Sequence, residues 1–463
     1  MAGPQLRSAI AAARRMVAMA LDRQIARLAK ILVDSEKISF DEAQARLRAL
    51  TLEIVVGPEA TSRASHAAIL TAVSVARRTF VGGVRVTGAV DGRLNSALPL
   101  RAESLAEAVD LVGASEFDCA ASRRILVGMT GMPTAGWSVS PWWNGWRAGT
   151  TTSGKVRWDA GDNPLPGIAA GALAVGVAFE AERNRLVEFQ GEIDLWPVGA
   201  DRKAPDFEDV FLPRALWLVG LGNLGQAFLW SLSALPFVDP SNVSLVLQDR
   251  DSVTEENWAT SVLVTDETYG SLKTKVAECW ASAKGFDSRR IDRHLYAVDR
   301  LEDADPRLAL SGVDKIEARK LMVEVGFDCI VDAGLGRSAS DFDRYRVTVF
   351  DRTRPIDKHF AGLEDAPVGQ DPPKGDAYRR LEAEIGPCGA AEIGGASVAA
   401  PYVSAVAAAI AISRVIAVTS GCECPINEVG RLSLIGDRRV AHLAAVEGRG
   451  IGHAGKPCIG VCL

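Results

Sequence analysis

The chain has 463 residues, 48% of them apolar and 24% charged, with a net charge of −6 and a pI near 5.6. That is the composition of a globular protein of two or three domains. The acidic balance, with no dense Lys/Arg face, excludes nucleic acid as a main partner, so Arg289-Arg290 and Arg438-Arg439 read as solvated faces. From the N-terminus, Ser8 to Leu21 is apolar but carries Arg14 and Arg15 where a secretion signal needs an uncharged core, so it reads as an amphipathic helix. Leu52 to Val56 reads as a strand ending at Gly57, Ser65 to Arg78 as a helix, and Val84 to Thr87 and Ile125 to Val127 as further strands. Trp137, Trp142, Trp143 and Trp146 around Pro141 read as an aromatic loop, either covering core or exposed for a protein partner. Pro164 then opens a late helix rich in Ala and Gly.

The second half begins with the most informative stretch. An apolar run, Leu216 to Val219, feeds Gly220, Gly222, Asn223 and Gly225, and a helical segment follows: the order of a strand, a phosphate loop and a helix. Close backbone approach at a helix N-terminus suits phosphate of any nucleotide. A second strand, Val243 to Leu247, delivers Asp249 at its C-terminal edge, where a carboxylate accepts hydrogen bonds from ribose hydroxyls. Asp249 alone would suit a dinucleotide, and a nicotinamide or flavin oxidoreductase stays open at this point. A dehydrogenase, however, has no need of the polar series that follows: Asp251, Val253, Asn257, Gly270 and Lys273.

From Leu216 to about Lys275 the spacing D-x-D-x-V-x-x-x-N followed by G-x-x-K resembles the ThiF-like family, the adenylating enzymes that activate ubiquitin-like and sulfur-carrier proteins. The resemblance implies that Gly220, Gly222, Asn223, Gly225, Asp249 and Asp251 hold ATP with Mg²⁺, that Asn257 helps place the phosphates, and that Lys273 neutralises charge on the leaving pyrophosphate. Fixed positive charge at that point stabilises the transition state electrostatically. The chain departs from the pattern twice. Trp258, Ala259, Thr260 and Ser261 stand where the family carries Leu-x-Arg-Gln, and Leu335 stands at the second acidic position after Asp332. Asp332, ending the strand Phe327 to Val331, is then the candidate to replace that acid, with Asp341 and Asp343 as alternatives. A fold that binds nucleotide without catalysis, a scaffold, is the reading these departures favour.

Arg337 to Gly362 reads as a loop feeding a strand at Tyr345 to Phe350. By the resemblance, Cys388 falls in the crossover loop where thioester-forming relatives keep their cysteine; its other reading is a thiol packed against a Gly-rich turn. Tyr402 to Val418 is an Ala-rich helix interrupted by Arg414, better suited to a protein core than to lipid. With no segment reading as a membrane span, the cytoplasm is the expected location. Leu432 to Ile435 and Arg439 to Leu443 read as a hairpin around Gly436-Asp437. Cys329 reads as core. Cys422, Cys424, Cys458 and Cys462 supply four late thiols, but neither pair has the C-x-x-C spacing of structural zinc sites.

Each half ends on a Pro-started helix of small residues, at Pro164 and Pro401. The expected fold is therefore α/β: tandem Rossmann-like, doubly wound halves. The N-terminal half (1–200) lacks a nucleotide fingerprint; the other (210–463) binds nucleotide, with a crossover loop at about 337–395 and a small C-terminal β element. Family members often pair an inactive adenylation half with an active one, and the inactive half reaches over with an arginine from an N-terminal helix. Arg14, Arg15 and Arg23 are the candidates for that arginine finger. The implied partners are a ubiquitin-like protein substrate and a conjugating enzyme, in a bacterial conjugation pathway such as an antiviral defence operon. Two halves in one chain make a pseudo-symmetric monomer self-sufficient, with a homodimer through the Trp loop as the alternative.

Overall fold

A computed structural model describes residues 23–128, 136–152, 161–183, 191–197, 203–296, 299–363, 375–395, 397–422, 425–442 and 453–457. Arg14 and Arg15 lie outside them, as do Cys424, Cys458 and Cys462, and of Cys388 only the backbone is described.

The first half runs α1 (23–36), α2 (Phe40–Ala49), β1 (Thr51–Val56), α3 (Arg63–Ala76), β2 (Gly83–Gly88), α4 (Leu105–Val112), β3 (Arg123–Val127), β4 (Ser138–Asn144), β5 (Arg147–Thr151), α5 (Pro164–Glu182) and β6 (Gly191–Asp194). Its sheet has the order β2-β1-β3-β4-β5-β6, parallel through β4 and antiparallel beyond. The Trp segment is a hairpin of this sheet and not a loop. Pro141 and Trp142 pair with Thr150 and Gly149, and Gly145 takes φ +57 in the two-residue turn. Trp143 and Trp146 are buried, the Trp146 indole donating to the Pro205 carbonyl, while Trp137 and Trp142 are half-buried.

The second half contains β7 (Leu212–Pro213), β8 (Ala215–Val219), α6 (Asn223–Ser233), β9 (Ser244–Gln248), α7 (Lys273–Lys284), β10 (Asp287–Ile291), β11 (Leu308–Ser311), α8 (Ile316–Val325), β12 (Cys329–Leu335), β13 (Arg344–Asp351), α9 (Ile356–His359), α10 (Asp376–Gly395), α11 (Pro401–Thr419), β14 (Pro425–Arg431), β15 (Arg439–His442) and β16 (His453–Gly455). Its sheet is β10-β9-β8-β11-β12-β13-β14-β15: five parallel strands in Rossmann order, then an antiparallel tail. The same succession of parallel strands turning antiparallel in each sheet makes the halves tandem versions of one architecture. β10 and β15 are the additions of the second, and β16 pairs with β7 as a separate ribbon.

The core lies between the two sheets. Helices α3, α5 and α11 are buried around nearly their whole circumference, and α5 and α11 pack on each other with α3 and α6 alongside. Gly167 and Gly171 allow α5 to reach the α3 backbone; a Cβ there would stand 2.1 and 2.3 Å from the carbonyls of Ala64 and Ala68. Both α5 and α11 are long and apolar enough to cross a membrane by composition, and both are buried inside the fold. The rings of Phe80, Phe179 and Tyr402 step across from one half to the other, and the Trp230 indole donates to Thr71 Oγ1 at 2.9 Å. A second apolar cluster, with Trp217, Val219, Ile330 and Phe350, covers the opposite face of the larger sheet beneath α8 and α9.

Three further expectations change. Among its described residues the crossover is not a loop throughout: β13 contains the strand expected at Tyr345 to Phe350, but α9 and α10 follow it, and Cys388 stands inside α10. Residues Leu432–Asp437 form a 3₁₀ turn and not the first strand of the expected hairpin; β14 takes that place and pairs with β15, with Gly436-Asp437 in the connection. Arg438 is not a solvated residue but a largely sheltered partner of the buried Glu428, with Nε–Oε1 at 2.7 Å.

Candidate functional site

Glycine is needed at the loop after β8 for steric reasons that differ by position. Gly220 has φ +84 and sits 3.1 Å, at its would-be Cβ, from the Gly312 backbone. A Cβ on Gly225 would stand 2.1 Å from the Gly220 carbonyl, because α6 packs onto its own entry loop. Gly222 is different: its Cβ would meet nothing within 4 Å. The loop therefore has two tightly packed glycines and one facing open space at a helix N-terminus, between β8 and the strands where the order reverses. Both polar atoms of the Asn223 side chain are buried there without a hydrogen-bond partner. An open glycine beside an unsatisfied amide suits a ligand that carries hydrogen-bonding groups.

Asp249, half-buried just past β9, accepts from the Leu221 amide at 2.7 Å through Oδ2 and from the Asp251 amide at 2.8 Å through Oδ1. It ties the glycine loop to the next turn. Asp251 Oδ2 takes the Lys273 ammonium at 2.9 Å, and the Lys273 amide donates to the Asp251 carbonyl at 2.9 Å. Partial burial would raise the Asp251 carboxyl, but the hydrogen bond and charge of Lys273, aided by Arg250, outweigh it and hold the carboxyl below the usual range. Lys273 is 13% exposed and Asp251 54%, so the lysine is the sheltered member of the pair. Asn257 closes a 3₁₀ turn, its Oδ1 accepting from the Thr254 amide at 3.0 Å. The loop, Asp249, Asp251 and Lys273 thus form one hydrogen-bonded unit.

Asp332 is fully buried on β12, which β11 separates from β8. Its carboxylate accepts from Ser311 Oγ at 2.7 Å, Arg319 Nε at 3.0 Å and Arg346 Nη2 at 2.6 Å. Phe360 lies against both guanidiniums, at 5.6 and 4.9 Å from its ring centre. The carboxylate is saturated by two cations, so the pocket carries net positive charge. Asp341 instead shapes its own loop, accepting from the Arg337 and Ser338 amides, while Asp343 pairs with Arg431. Among the described residues no group of three or more His, Cys, Asp or Glu is placed to hold a metal, and Cys422 is half-buried with its three companions outside the described residues.

The first half meets this site through α1. Gln24 Nε2 donates to Asp266 Oδ1 at 3.1 Å and to the Tyr269 hydroxyl at 2.7 Å, next to Gly270 and Lys273. Burial and the Asp266 carboxylate push the Tyr269 hydroxyl pKa well up. Arg23, at the first described turn of α1, is exposed. The helix carrying Cys388 rests on α1 too, with the Tyr378 hydroxyl on Asp34 at 2.7 Å and the Lys30 ammonium on the Gly394 carbonyl. Ser311, Arg319, Arg346 and Gln226 were not legible as site residues; each owes its place to a partner distant in sequence. Gln226 links Leu221 O, at 3.3 Å, to the Leu263 amide, at 2.9 Å.

Comparison with known proteins matches residues 51–189 to a family described as the BilD N-terminal domain and residues 212–422 to one described as the BilD C-terminal domain. The chain is 33% identical over 411 residues to the bacterial E1-like protein BilD of Collimonas sp. (strain OK412), spanning 84% of this chain and 87% of that one. Solved structures of lower similarity include E. coli MccB with ATP, at 13% identity and TM-score 0.33 over 51% of this chain and 64% of that one. They also include E. coli MccB with MccA, at 14% and 0.33, with the same coverage, and PaaA, at 13% and 0.33, over 49% and 63%. The chain therefore spans a little under two thirds of the length of each of these three.

Proposed function

Because the chain belongs to the BilD family of bacterial E1-like proteins, we propose that it is a cytoplasmic adenylating enzyme that uses MgATP to activate the C-terminal carboxylate of a small ubiquitin-like protein. The observation that carries this reading is the unit formed by the glycine loop, Asp249, Asp251 and Lys273, with Gly222 open beside it. The loop amides and Asn223 would receive the phosphates, and Asp249 would take the ribose with its remaining acceptor capacity. Mg²⁺ carried by the nucleotide would supply further charge neutralisation there. In the reaction a substrate carboxylate oxygen bonds to the α-phosphorus while the bond to the β-phosphate bridging oxygen breaks. Pyrophosphate leaves as the acyl adenylate forms. Lys273, held near that position by Asp251, stabilises the charge that develops on the leaving group.

A following step is proposed at Cys388, whose thiolate would displace AMP to give a thioester for a conjugating-enzyme partner. The setting we favour is a bacterial conjugation pathway with an antiviral role. One chain holds both halves of the adenylating unit, so a monomer suffices. Titration calorimetry with MgATP, NAD⁺ and NADH, followed by ATP–pyrophosphate exchange, tests the reading. MgATP binding that Asp249→Ala abolishes, with exchange lowered by Lys273→Met, is expected; nicotinamide binding, or silence with every nucleotide, overturns it. A scaffold is the second reading, favoured by Thr260 and Ser261, both buried, where relatives of the ThiF-like type carry Arg-Gln. It predicts MgATP binding with no exchange.

A further inference from the structure

Arg78, at the end of α3 in the first half, is only 1% exposed and has no carboxylate partner among the described residues. Its donors are spent on backbone carbonyls instead. Nη1 donates to Ser74 in its own helix at 2.9 Å, and the others cross to the second half: Nε to Ser261 at 3.3 Å and Nη2 to Val262 at 3.1 Å and Val264 at 2.8 Å. The Trp258 ring covers the guanidinium at 5.7 Å, with Arg77 at 5.5 Å. Three carbonyls converging on one point repel one another unless a cation sits among them, and only a planar fork of donors satisfies them together. The segment 261–264 thus takes its shape from a residue of the other half.

That segment is coupled to the nucleotide loop on two sides. The Leu263 amide donates to Gln226 Oε1, and Gln226 Nε2 donates to the Leu221 carbonyl; the Leu221 amide in turn holds Asp249. On the other side the Ser261 amide donates to the Asn257 carbonyl at 2.9 Å. We infer that Arg78 is a positioning residue, through which the N-terminal half sets the geometry of the glycine loop and Asp249 by way of residues 261–264 and Gln226. It touches no substrate, and it is distinct from a finger reaching in from the N-terminal helix. The inference rests on the nucleotide reading of this site for its functional consequence. Its structural content stands without it.

The test uses the full chain with Arg78→Met and Arg78→Lys, folding checked by circular dichroism and thermal unfolding. Loosening a loop that places a ligand costs about ten- to a hundredfold in affinity. Arg78→Met is therefore expected to raise KM for MgATP in pyrophosphate exchange by at least about tenfold, with kcat at saturation far less affected. Arg78→Lys, which keeps the charge but not the fork, should recover part of the loss. Hydrogen exchange without ligand should speed up at the Leu221 and Leu263 amides while α5 and α11 stay protected. Should Arg78→Met fail to fold, Gln226→Met cuts the same link downstream and is expected to produce the same loss at Leu221. A folded Arg78→Met or Gln226→Met with wild-type KM and wild-type exchange at Leu221 overturns the inference. A wild-type protein that binds no MgATP overturns the proposed function instead, and the Leu221 and Leu263 exchange rates still decide this one.

Discussion

Replacing Glu428 by Gln should be among the most damaging single-atom changes in this chain. Glu428 is fully buried and holds Arg414 Nη2 at 2.6 Å, Arg438 Nε at 2.7 Å and Nη2 at 3.1 Å, and the Tyr345 hydroxyl at 3.1 Å. The two arginines also reach the first half: Arg414 Nη1 donates to the Leu195 carbonyl at 2.6 Å, and Arg438 donates to the Asp194 carbonyl. Neutralising the acid leaves two guanidiniums in the interior, with side-chain exposures of 1% and 12%, and no anion between them. Breaking a buried pair from one side costs about 3–5 kcal/mol, against a typical total of about 5–15 kcal/mol. For a unit of roughly 250 residues, that is a fall in Tm of about 6–10 °C. Differential scanning calorimetry at pH 7, with urea unfolding followed by tryptophan fluorescence, reads both. Since the arginines span the halves, the variant should also separate one unfolding transition into two. A shift below about 1 kcal/mol, the level of an exposed pair, with a single transition retained, would refute the reasoning.

Three further outcomes are expected. Lys284 donates to the Ala97 carbonyl at 2.5 Å and the Leu235 carbonyl at 3.3 Å, and burial, reinforced by Arg63, pushes its pKa down to about 7. Above that value the unfolded chain still holds a proton the folded chain has lost, so stability gained from this residue rises with pH. Wild type should gain roughly 2 kcal/mol over Lys284→Met between pH 7 and 9; parallel urea profiles would contradict it. At the glycine loop, Gly225→Ala forces a Cβ onto the Gly220 carbonyl and should cost about 1–3 kcal/mol. Gly222→Ala enters open space, so it should unfold within about 0.5 kcal/mol of wild type yet weaken MgATP binding, a pairing that calorimetry and thermal scans separate.

The strands that carry the site were legible because buried parallel strands are unbroken apolar runs. Leu216 to Val219 lie in β8, Val243 to Leu247 overlap β9 from Ser244 onward, and the glycines mark the turn from β8 into α6. The repeated Pro-started helices told of two related halves for a similar reason: helices apolar all round need no periodicity to be seen. Where reading went astray, a local signal outweighed a distant one. Pro141 and four tryptophans looked like a loop, although Asn144-Gly145 marked a hairpin. Gly386-Pro387 looked like a break, yet Tyr378 and Leu381 are buried on a helix that continues through it to Gly395. Arg438, Asp332 and Arg78 share one difficulty, since their partners Glu428, Arg319, Arg346 and Val264 are brought near only by the completed fold.

The pairing of α5 with α11 also has a consequence for how the protein is made. Synthesis is vectorial, and α5 leaves the ribosome while its partner remains unwritten. At ordinary elongation rates the interval from Glu182 to Pro401 lasts on the order of 10–45 s. Throughout it, a helix with the hydropathy of a membrane span has α3 and strands of its own sheet beside it, but no α11 over its remaining face. The nascent first half is thus a client for holding chaperones, and slow codons between the halves should lower the yield of soluble protein more than the same codons placed after Thr419.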